Sequence, residues 1–101
     1  MNIERLIAQS TGFDWDEANI GKNWIKHKVS PDEVEQVFFN KPLLLLDDEK
    51  HSNKEQRFIA MGKTDAGRLL FISWTLRNNM IRAISCRPMH SKERRVYEQE
   101  A

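Results

Sequence analysis

The sequence predicts an α+β fold, in which helices pack against an antiparallel sheet. Its first half carries helix-capping residues and apolar residues at helical spacing, and its second half carries apolar segments separated by turn residues. The chain then closes with a charged segment after a capping residue. We expect the order β-α-α, then an antiparallel β meander and a C-terminal helix, with the helices on one face of the sheet.

The N-terminal residues are the least patterned part of the chain. Residues 1–12 are interpreted as an extension, either a short helix or disordered, and residues 13–101 as one domain with a single modest core. Phe13 and Trp15 alternate with two aspartates, which is typical of a short edge strand.

A first helix is predicted from Asp16 to Lys28. At 100° per residue, its apolar side chains lie on one side and its polar side chains on the other. Trp24 and Ile25 belong to the apolar side, which we expect to be buried, and Asn19 and Asn23 to the polar arc.

The second helix has the clearest start in the chain. Ser30 is a candidate N-cap, Pro31 occupies the first helical position and Glu33 completes a capping box. Val34, Val37 and Phe38 form the stripe that we expect to be buried, and Asn40 and Pro42 are expected to end the helix.

The remaining elements are mostly strands, predicted at Leu43–Leu46, Gln56–Lys63, Arg68–Thr75 and Met80–Arg87. A polar loop fills residues 47–54. Turns are predicted around Asp65 and Gly67 and at Asn78-Asn79, because asparagine tolerates a positive φ. Ser91 is the predicted N-cap of the last helix, residues 92–100.

Charge divides unevenly along the chain. The net charge is +1, but residues 1–56 carry −4 and residues 57–95 carry +7. A basic second half can form an anion-binding surface that the total conceals, or can simply be a solvated surface. No apolar run is long enough to span a membrane or to form a signal peptide, and the single cysteine, Cys86, cannot form an internal disulfide. We therefore expect a cytoplasmic protein.

Several kinds of site are not indicated. The histidines and Cys86 lack metal-ligand spacing, no glycine-rich phosphate loop is present, and no cofactor or metal is predicted. Cys86 lies in an apolar segment, which favours packing over nucleophilic chemistry. The three tryptophans are interpreted as core residues, with base stacking as the alternative.

Short motifs spread along the chain resemble one known family. They are Phe13-Asp14-Trp15-Asp16, Asn23, Lys26-His27, Val29, Glu55-x-Arg57, Gly62, Arg82-x-Ile84-Ser85-Cys86-Arg87, Glu93-Arg94 and Tyr97. In this order they resemble the BrnT family of bacterial toxins. The chain departs from the family at its longer N-terminus, at Lys28, where glycine is common, and at Pro88-Met89, where a more basic pair is frequent.

The resemblance implies a RelE-like fold and an endoribonuclease that stops translation. It also implies a type II toxin–antitoxin pair, in which a BrnA-like antitoxin neutralises the toxin and carries the DNA-binding domain, so that the toxin contacts DNA only through the antitoxin. The alternative is a non-catalytic binding module that acts with a DNA-binding partner as a transcriptional repressor complex; a plain structural subunit is the remaining rival.

RNA cleavage without a metal needs a base for the 2′-OH, an acid for the leaving 5′ oxygen, and cations for the phosphorane, and it leaves a 2′,3′-cyclic phosphate. Arginine suits the last task because its planar fork binds two phosphate oxygens. The predicted catalytic residues are His27, Glu55, Arg57, Arg82 and Arg87, and the predicted RNA-binding residues are Lys26, Arg77 and Arg94.

Three of these assignments leave alternatives open. His27 is either an acid or base or a cation that caps its helix. Glu55 is a base, a residue that orients an arginine, or a structural ion pair. Arg82 and Arg87 are five residues apart, so they share a face of the sheet only if a bulge occurs near Ser85 or if Arg87 has left the strand.

Overall fold

Residues 2–100, which the computed structural model describes, form four α-helices and one four-stranded antiparallel sheet. The helices are α1 (Ile3–Gln9), α2 (Glu17–His27), α3 (Pro31–Phe39) and α4 (Ser91–Glu100). The strands β1 (Leu44–Asp47), β2 (Phe58–Lys63), β3 (Leu69–Arg77) and β4 (Met80–Pro88) lie in that order, and a 3₁₀ helix (Glu49–His51) lies between β1 and β2. The α+β prediction is confirmed. Met1 and Ala101, the outer ends of the predicted extension and domain, lie outside the described residues.

The turns of the meander follow the predicted turn residues. Asn78 and Asn79 have φ values of 51° and 62°, and Arg77 pairs with Met80 across them. Two positive φ values match the two-residue turn whose twist suits a hairpin. Gly67, at φ 86°, closes the turn between β2 and β3. Both turn predictions are confirmed.

Helix α3 begins and packs as its sequence predicts. The Ser30 hydroxyl accepts from the Glu33 N–H at 3.2 Å, and the Glu33 carboxylate accepts from the Ser30 N–H at 3.1 Å, which completes the capping box. The helix lies close to β2: a Cβ on Gly62 would meet Cγ1 of Val37 at 2.9 Å. Glycine at residue 62 therefore permits this close approach.

The main core lies between the sheet and helices α1 and α3, with further residues from the segments before and after α2. Trp74 is completely buried there, with its ring 4.8 Å from that of Phe58 and 5.4 Å from that of Phe38. The other fully buried residues of this core include Val29, Val34, Val37, Ala60, Leu70, Ile72, Ala83 and Cys86.

A smaller cluster on the opposite face of the sheet corrects the prediction that all helices share one face. Met61 points away from the main core, because it alternates with Ala60 along β2. It packs with Met89 and with Tyr97 of α4, whose hydroxyl donates to the Pro42 carbonyl at 2.5 Å. The sheet buries apolar side chains on both faces at this end, so α4 covers the second face.

The N-terminal segment runs beside β4. The predicted edge strand is reduced to a single parallel bridge between Phe13 and Ile81, flanked by backbone hydrogen bonds of 2.8 Å from Asp14 and to Gly12. Residues 3–9 of the predicted extension form helix α1, and its apolar side chains pack against the main core.

Helix α2 lies where predicted, but the prediction of its buried face was wrong. Asn23 is 4 % exposed, whereas Trp24 is 50 % and Ile25 77 % exposed. The physical reason is the neighbouring edge strand β4, whose backbone groups need partners. The side-chain oxygen Oδ1 of Asn23 accepts from the Cys86 N–H at 3.3 Å, and the side-chain amide of Asn19 donates to the Ala83 carbonyl.

Candidate active site

Three arginines project from the sheet face that lies opposite the main core. Arg57 precedes the core residue Phe58, and Arg82 stands between two core residues of β4, so strand alternation directs both away from the core. Thr75 of β3 lies opposite Arg82, and Arg77 is two residues further along the same strand. We call this group of Arg57, Arg77 and Arg82 the arginine cluster.

Two adjoining cavities meet at the arginine cluster, because Arg57 and Arg77 line both. The larger has a volume of about 560 Å³ and the smaller of about 310 Å³. A third, apolar groove of about 630 Å³ lies elsewhere, between α1 and β1, and contains no arginine. The larger arginine cavity is otherwise lined by Lys50, His51, Asn53, Lys54 and Glu55, and the smaller by Asp16, Ala18, Asn19, Lys22, Arg82, Ala83 and Ile84.

Two members of the cluster are held by carboxylates from the first half of the chain. Arg77 donates to both oxygens of Glu55, at 3.2 and 2.9 Å. Arg82 donates to Asp14 at 3.3 Å and to Asp16. The hydrogen bond from Arg77 holds the pKa of Glu55 below its usual value, so this carboxylate is ionised at neutral pH. A backbone hydrogen bond from Asn19, and then the bond from Arg82, likewise lower the pKa of Asp16.

Arg57 is the member of the cluster without a carboxylate partner. Among residues 2–100, no carboxylate lies within 4.0 Å of its guanidinium, and its buried Nε has no hydrogen-bond partner. Its backbone is nevertheless firmly held, because its N–H donates to the Ser52 hydroxyl at 3.0 Å and its carbonyl accepts from the Asp48 N–H at 3.0 Å. A buried, unpartnered cationic donor is costly, so this position favours an anionic ligand.

The bulge required to bring Arg82 and Arg87 to one face is present. Trp74 pairs with Ala83 while Ser73 pairs with Ser85, so Ile84 is an extra residue on β4. The two arginines share a face but are not adjacent: their partners on β3 are four residues apart, which is roughly 13 Å along a strand. Each is also held by its own carboxylate partners, so the two arginines belong to separate groups.

Arg87 forms part of the contact between β4 and α4. It donates to both carboxylate oxygens of Glu93, at 2.7 and 2.8 Å, and its guanidinium lies 4.3 Å from the ring centre of Phe71. Glu93 also accepts from the His90 N–H at 2.8 Å. The prediction of Ser91 as the N-cap is wrong by one residue, because Ser91 is already the first residue of α4.

His27 ends helix α2 and lies near Arg87 rather than in the arginine cluster. Burial first, and then the charges of Lys26 and Arg87, lower the pKa of its imidazole. The ring is thus neutral at neutral pH, which argues against His27 as a cationic helix cap. Arg68 fills that role instead: it donates to the His27 and Lys28 carbonyls at 2.7 Å each. The remaining predicted RNA-binding residues, Lys26 on α2 and Arg94 on α4, are exposed.

The structure also tests the residues that were assigned to packing. Cys86 is completely buried, and burial raises the pKa of its thiol to about 12, so the packing assignment is confirmed. Trp74 is a core residue as predicted, Trp15 packs against the core and donates to Glu35 at 2.9 Å, and the core assignment of Trp24 was wrong.

The polar loop after β1 was not assigned a role from the sequence. This loop supplies Lys50, His51 and Asn53 to the larger arginine cavity. The spacing Asp48-x-x-His51, in which a carboxylate can reach an imidazole, was the available signal. Within the described residues, no group of three or more His, Cys, Asp or Glu side chains is placed to hold a metal ion, and no described helix is long and apolar enough to cross a bilayer.

Comparison with known proteins yields one family. A family model described as a ribonuclease toxin, BrnT, of type II toxin–antitoxin systems matches residues 15–93, most of the chain. No match is found among curated proteins. The matched segment includes α2, α3, the whole sheet and the start of α4, and therefore both cavities of the arginine cluster.

Proposed function

This chain belongs to the BrnT family of ribonuclease toxins of type II toxin–antitoxin systems, and we propose that it cleaves RNA internally, without a metal, at the arginine cluster. The observation that carries the proposal is Arg57, a cation with a buried and unpartnered Nε at the junction of two cavities. A phosphodiester would supply the missing acceptor. Toxicity would then follow from the loss of translatable RNA.

The proposed chemistry is attack of the ribose 2′-OH on the adjacent phosphorus. Arg57 binds the phosphate and supplies the cation whose charge no carboxylate of residues 2–100 offsets, while Arg77 and Arg82, held in place by their carboxylates, would offer guanidinium N–H donors to the phosphorane oxygens. Glu55 lines the same cavity and is ionised, so it is the proposed base for the 2′ proton. The products would be a 2′,3′-cyclic phosphate and a free 5′-OH.

The second group of predicted residues has a proposed role in binding. Arg87 is on the same face as the arginine cluster but roughly 13 Å away. The others are Lys26 and His27, at the C-terminal end of α2, and Arg94 on α4. We propose that this group contacts phosphates that flank the scissile one. In that arrangement His27 and Arg87 would bind RNA and position it, and their loss would weaken binding more than it slows the chemical step.

The partner we propose is a BrnA-like antitoxin that covers the arginine cluster and links the toxin to DNA in the cytoplasm. Such a partner would place carboxylates opposite a face rich in arginine, and complementary charge mainly speeds association. The association rate of the pair should therefore fall clearly as salt rises from about 0.05 to 0.5 M, since screening shortens the reach of exposed charges. An association rate that does not change with salt would contradict docking on this face.

The experiment that tests the proposed function incubates the purified protein with RNA in the presence of EDTA. We expect cleavage to persist, and mass spectrometry of the fragments to find 2′,3′-cyclic phosphate and 5′-OH ends. A protein that binds RNA or DNA-bound antitoxin but leaves RNA intact would instead support the non-catalytic repressor module. Growth arrest on expression, relieved by the neighbouring antitoxin gene, supplies the cellular control.

A further inference from the structure

A carboxylate–imidazole pair stands at the rim of the larger arginine cavity. Nδ1 of His51 lies 3.0 Å from each carboxylate oxygen of Asp48. Asp48 is largely buried, with 12 % of its side chain exposed, whereas His51 is 58 % exposed and lines the cavity. Asp48 engages Nδ1, so Nε2 is the ring nitrogen left for a ligand.

The pair is fixed relative to Arg57 by backbone contacts on both sides of that residue. The Asp48 N–H donates to the Arg57 carbonyl at 3.0 Å, and the Arg57 N–H donates to the Ser52 hydroxyl at 3.0 Å. The Ser52 hydroxyl also donates to the Asp48 carbonyl at 2.6 Å. The 3₁₀ helix that carries His51 is thus closed onto the residue proposed to bind the scissile phosphate.

We propose that His51 is the general acid of the reaction, held by Asp48, and that it protonates the leaving 5′ oxygen. This inference rests on the proposed ribonuclease function and adds a residue to it. The imidazole is flanked by the carboxylate of Asp48 and shares the cavity with Glu55, with the guanidinium groups of Arg57 and Arg77, and with the ammonium groups of Lys50 and Lys54. The cavity therefore offers an acid, a base and phosphate-binding cations together, as this chemistry requires.

The proposed step balances without a further reactant. Glu55 takes the 2′ proton while the 2′ oxygen bonds to phosphorus, and the bond from phosphorus to the 5′ oxygen breaks. The 5′ oxygen receives the proton from Nε2 of His51, so one proton is accepted and one is donated. Glu55 and His51 then return to their starting states by exchanging protons with water.

A change of leaving group tests the role of His51 directly. A thiolate leaves without protonation, so a 5′-phosphorothiolate dinucleotide substrate makes the general acid unnecessary. We expect His51→Gln to lose about 10²- to 10⁴-fold in kcat on the oxygen substrate, and to cleave the sulfur substrate within a few-fold of the parent rate. Arg57→Lys should be impaired on both substrates, because phosphate binding is needed for each.

Asp48 acts as a positioning residue, so its variant needs a separate readout. Asp48→Asn should lower kcat on the oxygen substrate with little change in KM, and the sulfur substrate should restore it. His90→Gln is the matched control, because His90 is also exposed and lies three residues before a glutamate, at 4.0 Å, but at the α4 end of the molecule. Its rates should equal those of the parent on both substrates.

The possible outcomes separate the two proposals. Equal losses of His51→Gln on both substrates, or no loss on either, would overturn the assignment of His51 while the dependence on Arg57 stands. A parent protein that cleaves neither substrate would overturn the proposed function and this inference with it. Full rescue of His51→Gln by the sulfur leaving group, with none for Arg57→Lys, supports both.

Discussion

Asn23→Ala is the substitution that most clearly separates the observed packing of α2 from the packing its apolar pattern suggests. On the pattern alone, Asn23 lies on the solvent side and Ile25 on the core side. In the structure Asn23 is 4 % exposed and Ile25 77 % exposed. We therefore expect Asn23→Ala to be clearly destabilising and Ile25→Ala to be nearly neutral.

The expected effect follows from the contacts that the alanine variant removes. The buried Cys86 N–H would lose its acceptor, at about 1–3 kcal/mol, and the 3.2 Å hydrogen bond between the Asn23 and Asn19 side chains contributes about 0.5–1.5 kcal/mol. The better helix propensity of alanine offsets about 0.5 kcal/mol. The net loss is about 2 kcal/mol, which corresponds to a fall in Tm of roughly 10 °C for a domain of this size.

Urea denaturation and thermal melts, both followed by circular dichroism, measure the two variants side by side. Ile25→Ala should lie within about 0.5 kcal/mol of the parent free energy of unfolding, as an exposed substitution, whereas a buried isoleucine would lose about 2–5 kcal/mol. The reasoning is refuted if the order reverses, or if Asn23→Ala unfolds at the same urea concentration as the parent with an unchanged slope.

Three further predictions concern the backbone, the close packing and the acid stability of the fold. Lys28 has a φ of 55°, which costs a non-glycine residue about 1 kcal/mol or more, and its cation–π contact with Trp24 offsets only about 0.5 kcal/mol of that cost. Lys28→Gly should therefore raise the free energy of unfolding by about 0.5 kcal/mol, and a lower denaturation midpoint would contradict this. Gly62→Ala places a Cβ 2.9 Å from Val37 and should destabilise by about 1–3 kcal/mol in the same assay, and an unchanged midpoint would mean that α3 can shift freely. The hydrogen bonds from Arg87 hold the pKa of Glu93 below the usual value of a glutamate, so the ionised group stabilises the fold above that usual value, and this contribution is lost as the pH falls through the lowered pKa. Glu93→Gln should therefore lower Tm at pH 7 but hardly at pH 2, and an equal loss at both pH values would count against the ion pair.

Local signals in the sequence were sufficient for most of the fold. The capping box at Ser30, the asparagine turn before β4 and Gly67 each satisfy a backbone requirement within a few residues, so neighbouring residues alone reveal them. The side of α2 that is buried depends instead on a distant partner. Asn23 is buried and Asn19 half-buried because they satisfy the backbone of β4, more than sixty residues away in the chain.

The candidate site was predicted in its residue types but not in its arrangement. The basic second half does supply the arginine cluster, and the need for a bulge was visible from the five-residue spacing of Arg82 and Arg87. The distribution of carboxylates was not visible, because Asp14, Asp16 and Glu55 come from the acidic first half and meet their arginines only in the fold. Arg57, one of five catalytic candidates in the sequence, is the arginine of the cluster without a carboxylate partner among the described residues, and for this reason we propose it as the central one.

Single-turnover cleavage of RNA by Arg57→Ala, in EDTA and beside a matched control, tests the central claim most directly. Arg95→Ala removes the same charge from an exposed position on α4. With folding verified by circular dichroism, we expect Arg57→Ala to cleave about 10²- to 10³-fold more slowly than the parent, and Arg95→Ala to cleave within about two-fold of it. A folded Arg57→Ala protein that cuts RNA at the parent rate would contradict the assignment of the active site to the arginine cluster.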